Sequence, residues 1–375
     1  MRLSNTSKKL MKSISHKVKP IHHTKRTDSL FMELYGQIAK GHQNKVNFTV
    51  SDRKLRNDRD ITKPSQDNFR FIPQTIARDI HHRAKNEIHI EFKVKERNVR
   101  LIFVIEDEKY NIIVYKRYAK AVATWLHVIN ESNINPNCSQ NLTIFFYFSL
   151  LTKKLPTEID DVIAEEHANT GFANNCSKSS EIIIYRKEEW FKVFIHESFH
   201  NFNMDFSALD QSYAKQRILS LFKVESEVRL YEAYTETWAE IINVAFCSFY
   251  HSKSETEFLD NAELLMGYER QFSLIQMNKV LNHIGTSYSQ LFIPGNGYRE
   301  KTNILSYFVI KCILMNEHQQ FMSWCKTNNR SNMFVWSADM NLFCGLIERN
   351  INKRNLFIKE ESFDHMLRMS ICELT

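Results

Sequence analysis

The sequence predicts an α+β fold, with strands first and helices after. Three observations predict it. Around residues 88–94, Ile88, Ile90, Phe92 and Val94 alternate with polar residues, the period-two mark of a half-buried strand. From residue 187 onward the apolar spacing becomes that of helices and stays so. No alternating strand–helix repeat is visible, which argues against a doubly wound parallel sheet.

The elements follow in order. Residues 1–28 read as a disordered basic tail. No acid precedes Asp28, while Lys8, Lys9, Lys12, Lys17, Lys19, Lys25 and Arg26 crowd the stretch. Such a tail attracts an anionic partner by charge alone. Residues 29–86 form a mixed N-terminal segment with weak helical signals at 29–39 and 73–85. Strands at 88–94, 99–105 and 110–115 suggest a small antiparallel meander. A helix is expected over 118–129. Residues 141–150, rich in Thr, Ile, Phe and Tyr, read as a strand. Residues 167–173 are extended, and 181–185 are a short apolar strand. Helices are expected at 187–202, 225–250, 257–282, 301–317, 334–349 and 362–372. The chain then divides into a catalytic core at 87–250 and a helical C-terminal subdomain at 251–375 that completes the cleft.

The 375 residues, 43% hydrophobic and 25% charged with net charge +7, suit a globular protein with a sizeable core. With only 8 Gly and 6 Pro, glycine-rich phosphate loops and Pro-rich regions are excluded. The longest apolar runs, 142–151 and 241–250, fall short of the roughly 20 residues of a membrane span. Residues 1–28 lack the apolar stretch of a secretory signal. The 7 cysteines contain no CxxC pair, which points to reduced thiols in a cytosol-like compartment.

The chemistry concentrates in His196-Glu197-Ser198-Phe199-His200. On a helix, residues four apart are offset by about 40°, so both imidazoles face one way and can share a divalent ion. Glu197, about 100° round, is placed to take a proton from a water rather than to bind the ion. A catalytic zinc normally has three protein ligands and an open position. The third candidate lies downstream, where Glu232, Glu236 and Glu240 recur at four-residue spacing between apolar neighbours. Glu236 is the expected ligand. Glu240 is then expected to accept a hydrogen bond from a ligand histidine and fix its tautomer. Asp205 or Asp210 is the alternative third ligand.

These residues resemble the gluzincin clan of zinc metallopeptidases. There an HExxH helix and a glutamate on a later helix bind the metal, and an acid one turn on supports a histidine. The stretch 195–207 and the run Thr235–Glu240 are also similar to uncharacterised metallopeptidases of large DNA viruses. The resemblance covers about residues 87–310. Thr235 stands where several gluzincins have Asn before the third ligand, and the gap between the two motifs is longer than in the smallest members. The resemblance implies a zincin-like domain with a small mixed or antiparallel sheet, a Zn²⁺ cofactor and a peptide or protein substrate. It implies hydrolysis with Glu197 as general base on a zinc-bound water, in a host cytoplasm or a virion. Tyr298, Arg299 and Tyr307 are the candidates to stabilise the oxyanion, and residues 167–173 the edge that pairs with an extended peptide. Two other functions are open to the same sequence: an inactive, virion-associated binding protein of this fold, or a basic nucleic-acid-binding protein.

Overall fold

The computed structural model describes residues 1–132, 134–158, 161–357 and 364–375. The fold is α+β. Six strands, β1 (Thr49–Lys54), β2 (Asn86–Val94), β3 (Arg97–Ile105), β4 (Asn141–Phe148), β5 (Gly171–Ala173) and β6 (Ser179–Ile184), form one sheet in the order β1-β2-β3-β4-β6-β5. β1, β2 and β3 are antiparallel neighbours, β3, β4 and β6 run parallel, and β5 returns antiparallel to β6. The sheet is therefore mixed rather than a meander.

The helices, in chain order, are α1 (Asn5–Ile14), α2 (Lys25–Gln43), the single turn α3 (Gln66–Phe69), α4 (Gln74–Arg83), α5 (Ile112–Glu131), the single turn α6 (Glu165–Ala168), α7 (Trp190–Asn201), α8 (Ser212–Leu221), α9 (Leu230–His251), α10 (Glu255–Ile284), α11 (Lys311–Asn316), α12 (His318–Asn328) and α13 (Met340–Asn350). The predicted strand at 110–115 is the start of α5, because the Asn111 side chain accepts from Ile113 N at 3.0 Å and caps a helix there. α5 is the crossover that makes β3 and β4 parallel.

Both faces of the sheet are covered. Ile88, Ile90, Leu101, Phe103, Ile144, Phe146, Ile182 and Ile184 point to the main core, which α5, α7 and α9 complete. The alternate residues Ile102, Val104, Phe145, Tyr147, Ile183 and Tyr185 point to a smaller core closed by Leu55, Ile61, Ile72, Ile76 and Ile80. The main core runs from Ile21 to Leu374, so the three segments after residue 28 share one interior.

Three further expectations are corrected. Residues 1–28 are not a loose tail: Ser4 caps α1, Ser7 is buried, and Leu10, Met11 and Ile14 lean on the main core. Lys8, Lys9 and Lys12 stay exposed on the outer face, so a helix with one packed side reads as a lysine run. The helix expected at 362–372 is also absent from its described part, since 362 and 363 lie outside the described residues. Residues 364–375 form no helix and are buried over 367–372, with isolated bridges from Leu374 to Leu3 and from Met366 to Lys154. Finally, Cys138 and Cys176 form a disulfide across 38 residues, with Cα atoms 4.8 Å apart, where reduced thiols were expected. Cys247, Cys312, Cys325, Cys344 and Cys372 are free and buried. Among the described residues no helix is long and apolar enough to cross a membrane.

Candidate metal centre

α7 lies on the sheet against β5 and β6, with α9 across it. Trp190, Phe191, Phe194, Ile195 and Phe199 are fully buried and fix its rotation. Ser198, inside the motif, accepts from Trp125 Nε1 at 2.9 Å. These contacts leave His196, Glu197 and His200 facing a cleft of about 1180 Å³, also lined by β5, Arg229, Tyr231, Glu232, residues 298–303 and Tyr307.

Glu232 is the acid that faces the histidine pair. Its Oε2 lies 3.2 Å from His196 Nε2 and 3.5 Å from His200 Nε2, and the two Nε2 atoms are 3.1 Å apart. Glu232 Oε2 is buried with no hydrogen-bond donor aligned on it. Ligands of a tetrahedral ion at about 2.0–2.1 Å stand roughly 3.3–3.4 Å from one another, so these three atoms have the spacing of one tetrahedral face. Among the described residues this is the group of three His, Cys, Asp or Glu side chains with such spacing.

The expected assignments therefore shift by one helical turn. Glu236, the expected ligand, instead accepts from His196 Nδ1 at 2.8 Å and from Lys192 Nζ at 2.5 Å. Glu240, expected to support a histidine, pairs with Lys311 at 2.8 Å. Asp205, weighed as a ligand, holds His200 Nδ1 and is itself fixed by Ser207 N at 3.0 Å and Ser207 Oγ at 2.7 Å. Asp210 is exposed and accepts from Ser212 N. Each imidazole thus has its Nδ1 engaged by a carboxylate and its Nε2 turned to Glu232, the arrangement that fixes a ligand tautomer.

The electrostatics follow from burial and partners. Burial alone would lift the Glu232 carboxyl, but the His200 and His196 charges facing it hold it far below its ordinary value. Burial would likewise lower His196, yet Glu232 and Glu236 carry it up to about 9. Burial raises Glu197, which these cations only partly offset. A carboxyl shifted upward is a better proton acceptor than an ordinary surface glutamate.

Gly171 on β5 lies in the stretch 167–173 expected to pair with a peptide but was not singled out as a site residue. A Cβ built there would lie 2.9 Å from Glu197 Oε1 and 2.9 Å from Val193 Cγ1, so a side chain would press on the carboxylate. Its position beside a histidine-bearing helix is a tertiary fact with no local signal. Lys192 was also missed, although a lysine at the apolar inner side of α7 is the kind of local conflict that marks a buried partner.

Of the expected oxyanion residues, Tyr307 sits on the π-helical turn Leu305–Ile310 with its ring 6.0 Å from that of His196. Such turns often mark functional sites. Tyr298 lines the cleft but donates to Glu300 at 2.7 Å, and Arg299 lines the same wall. Tyr231 packs at 5.8 Å on the His200 ring. Protein-family models, curated proteins and solved structures were compared with the chain, and none matches.

Proposed function

We propose that this chain is a zinc-dependent peptidase with His196, His200 and Glu232 as the metal ligands and Glu197 as the general base. The observation that carries the reading is the spacing of the three ligand atoms, 3.1, 3.2 and 3.5 Å, with Glu197 on the same cleft wall. The donor set, two imidazoles and one carboxylate, is that of several zinc peptidases and leaves one coordination position open.

A bound zinc supplies Lewis-acid polarisation of a carbonyl and of a water. The chain's own residues do the rest. Glu236 and Asp205 hold the imidazoles with Nε2 forward. Glu197 takes a proton on its carboxylate and returns it to the leaving amine. Tyr307, whose hydroxyl burial keeps protonated well beyond neutral pH, is a neutral donor on the cleft wall for a developing oxyanion. Among the described residues β5 ends the sheet order with one edge unpaired by strands, so an extended peptide can add to it beside Glu197.

Elemental analysis of the purified protein is the first test, with one zinc per chain expected. Glu232→Ala should lose the metal. Glu197→Gln should keep it and lose peptide turnover by a factor of about 10²–10⁴. Full turnover in Glu197→Gln, or retained metal in Glu232→Ala, overturns the assignment.

A further inference from the structure

Phe71 is a large aromatic ring left 43% exposed at the rim of the catalytic cleft. It belongs to the loop between α3 and α4, in the N-terminal segment to which the sequence assigns no function. Its ring stacks on Phe172 of β5 at 4.4 Å between centroids, and the Arg70 guanidinium lies 5.0 Å from its centroid. These contacts hold the ring at the edge of the sheet and still leave apolar surface open to the cleft.

The strand geometry says what that surface meets. Gly171 and Phe172 are neighbours on β5, so they face opposite sides of the sheet. Gly171 faces α7, where it abuts Glu197, and Phe172 faces the side of Phe71 and the smaller core. In a peptide paired with the open edge of β5, the residue opposite Gly171 lies level with the base. The residue opposite Phe172 projects onto the Phe71–Phe172 platform. The two positions are adjacent, or about 3.3 Å apart along the strand.

We infer that Phe71 and Phe172 form a specificity subsite for an aromatic or large aliphatic side chain, at a fixed position next to or one residue from the scissile bond. The inference rests on the peptidase reading and gives it a substrate class: extended peptides with one bulky apolar residue near the cut. A ring on a ring buries large apolar area with defined geometry, whereas a charged or small residue gains nothing there. Phe71 touches substrate only at this subsite, so it sets specificity and is not part of the proton-transfer machinery.

The test uses the full-length zinc-loaded protein and a synthetic peptide library. Cleaved sequences should be enriched for Phe, Tyr, Leu or Met at one fixed position within two residues of the cut. Phe71→Ser should lower kcat/KM for those peptides about tenfold or more, and change kcat/KM for the matched alanine peptides less than twofold. Binding of the same peptides to Glu197→Gln, measured by fluorescence anisotropy, keeps the two ideas apart. Tighter binding of the aromatic peptide by about tenfold, lost when Phe71→Ser is added, supports the subsite even where the wild type cuts nothing and the peptidase reading falls. Cleavage with no apolar preference, or an equal loss for all peptides in Phe71→Ser, overturns the subsite and leaves the peptidase reading in place.

Discussion

Glu232 and Glu240 stand two turns apart on the same buried stretch of α9, and they have opposite surroundings. Glu232 opens to the cleft and faces two imidazoles. Glu240 is sealed in the interior against Lys311, which also donates to Ser273 Oγ at 2.9 Å and Met369 O at 3.1 Å. Glu236, between them, takes one partner from each world: His196 toward the cleft and Lys192 toward the interior. The titration behaviour follows the partners. Burial raises Glu240 well above an ordinary carboxyl, more than Lys311 offsets, with the nearby Glu269 and Glu236 adding to it, while Lys192 and His196 overcome burial and hold Glu236 well below one. One residue type at one helical spacing therefore carries three roles, and the neighbouring chain segments assign them.

The buried side of this comparison extends to the start of α7. Glu189 precedes the helix with φ of 56°, a left-handed conformation that costs a non-glycine residue energy. Its carboxylate accepts from Ser370 N at 2.7 Å and pairs with Lys153. The C-terminal segment thus anchors the helix that carries the histidines, and Trp190 Nε1 donates to Leu374 O at 2.9 Å beside it.

The comparison breaks hardest at Lys192. Lys192→Met leaves the buried Glu236 carboxylate without its lysine partner, which should cost about 3–5 kcal/mol of stability by urea denaturation. A loss below about 1 kcal/mol would mean that the pair is not the interior anchor described here. Next in size is acid sensitivity. Burial alone would raise Glu189, but Lys153 and Lys192 hold it at about 2, below its ordinary 4.5. The sign follows: a depressed carboxyl stabilises the fold above its unfolded value and loses that contribution as pH falls from about 4.5 toward 2. A loss on the order of 2–3 kcal/mol is expected over that window, and it should shrink in Glu189→Gln.

Metal affinity separates the two neighbouring acids more finely. Glu236→Gln should weaken zinc about 10–100-fold in chelator competition, because His196 loses the group that orients it. Glu240→Gln should leave zinc affinity within about twofold. Equal losses in both would erase the distinction between cleft and interior. The smallest effect concerns Glu197, the proposed base. Gly171→Ala should shift Glu197 and lower kcat about tenfold, with zinc content unchanged and KM little changed. Wild-type kcat in Gly171→Ala would show that the carboxylate has room to spare.

The α+β order, the strands at 86–105 and 141–148, and the placing of His196, Glu197 and His200 on one helix were all legible in the sequence. Each depends on a local signal, a period of two or 3.6 residues or, at 141–148, strand-favouring composition, and local sequence records such signals directly. The parallel pairing of β3 with β4 and the disulfide of Cys138 with Cys176 were not legible, since both join segments far apart in the chain. Helix α1 was hidden by its exposed lysines, and in the irregular C-terminal segment the Ser370, Ile371 and Cys372 amides are held by Glu189 and Glu269 rather than by a helix or a ladder.

The sequence alone determined that two imidazoles and a carboxylate share a helix, and that a row of three glutamates follows downstream. Only the tertiary structure decided which glutamate meets the histidines, because that depends on where α9 crosses α7. A helix repeats its face every turn, so spacing offers Glu232, Glu236 and Glu240 equally, and a shift of one turn, about 5.4 Å, exchanges their roles. The packing of Phe191, Phe194 and Phe199 and the two buried lysines set that crossing, and with it the acid that faces the cleft.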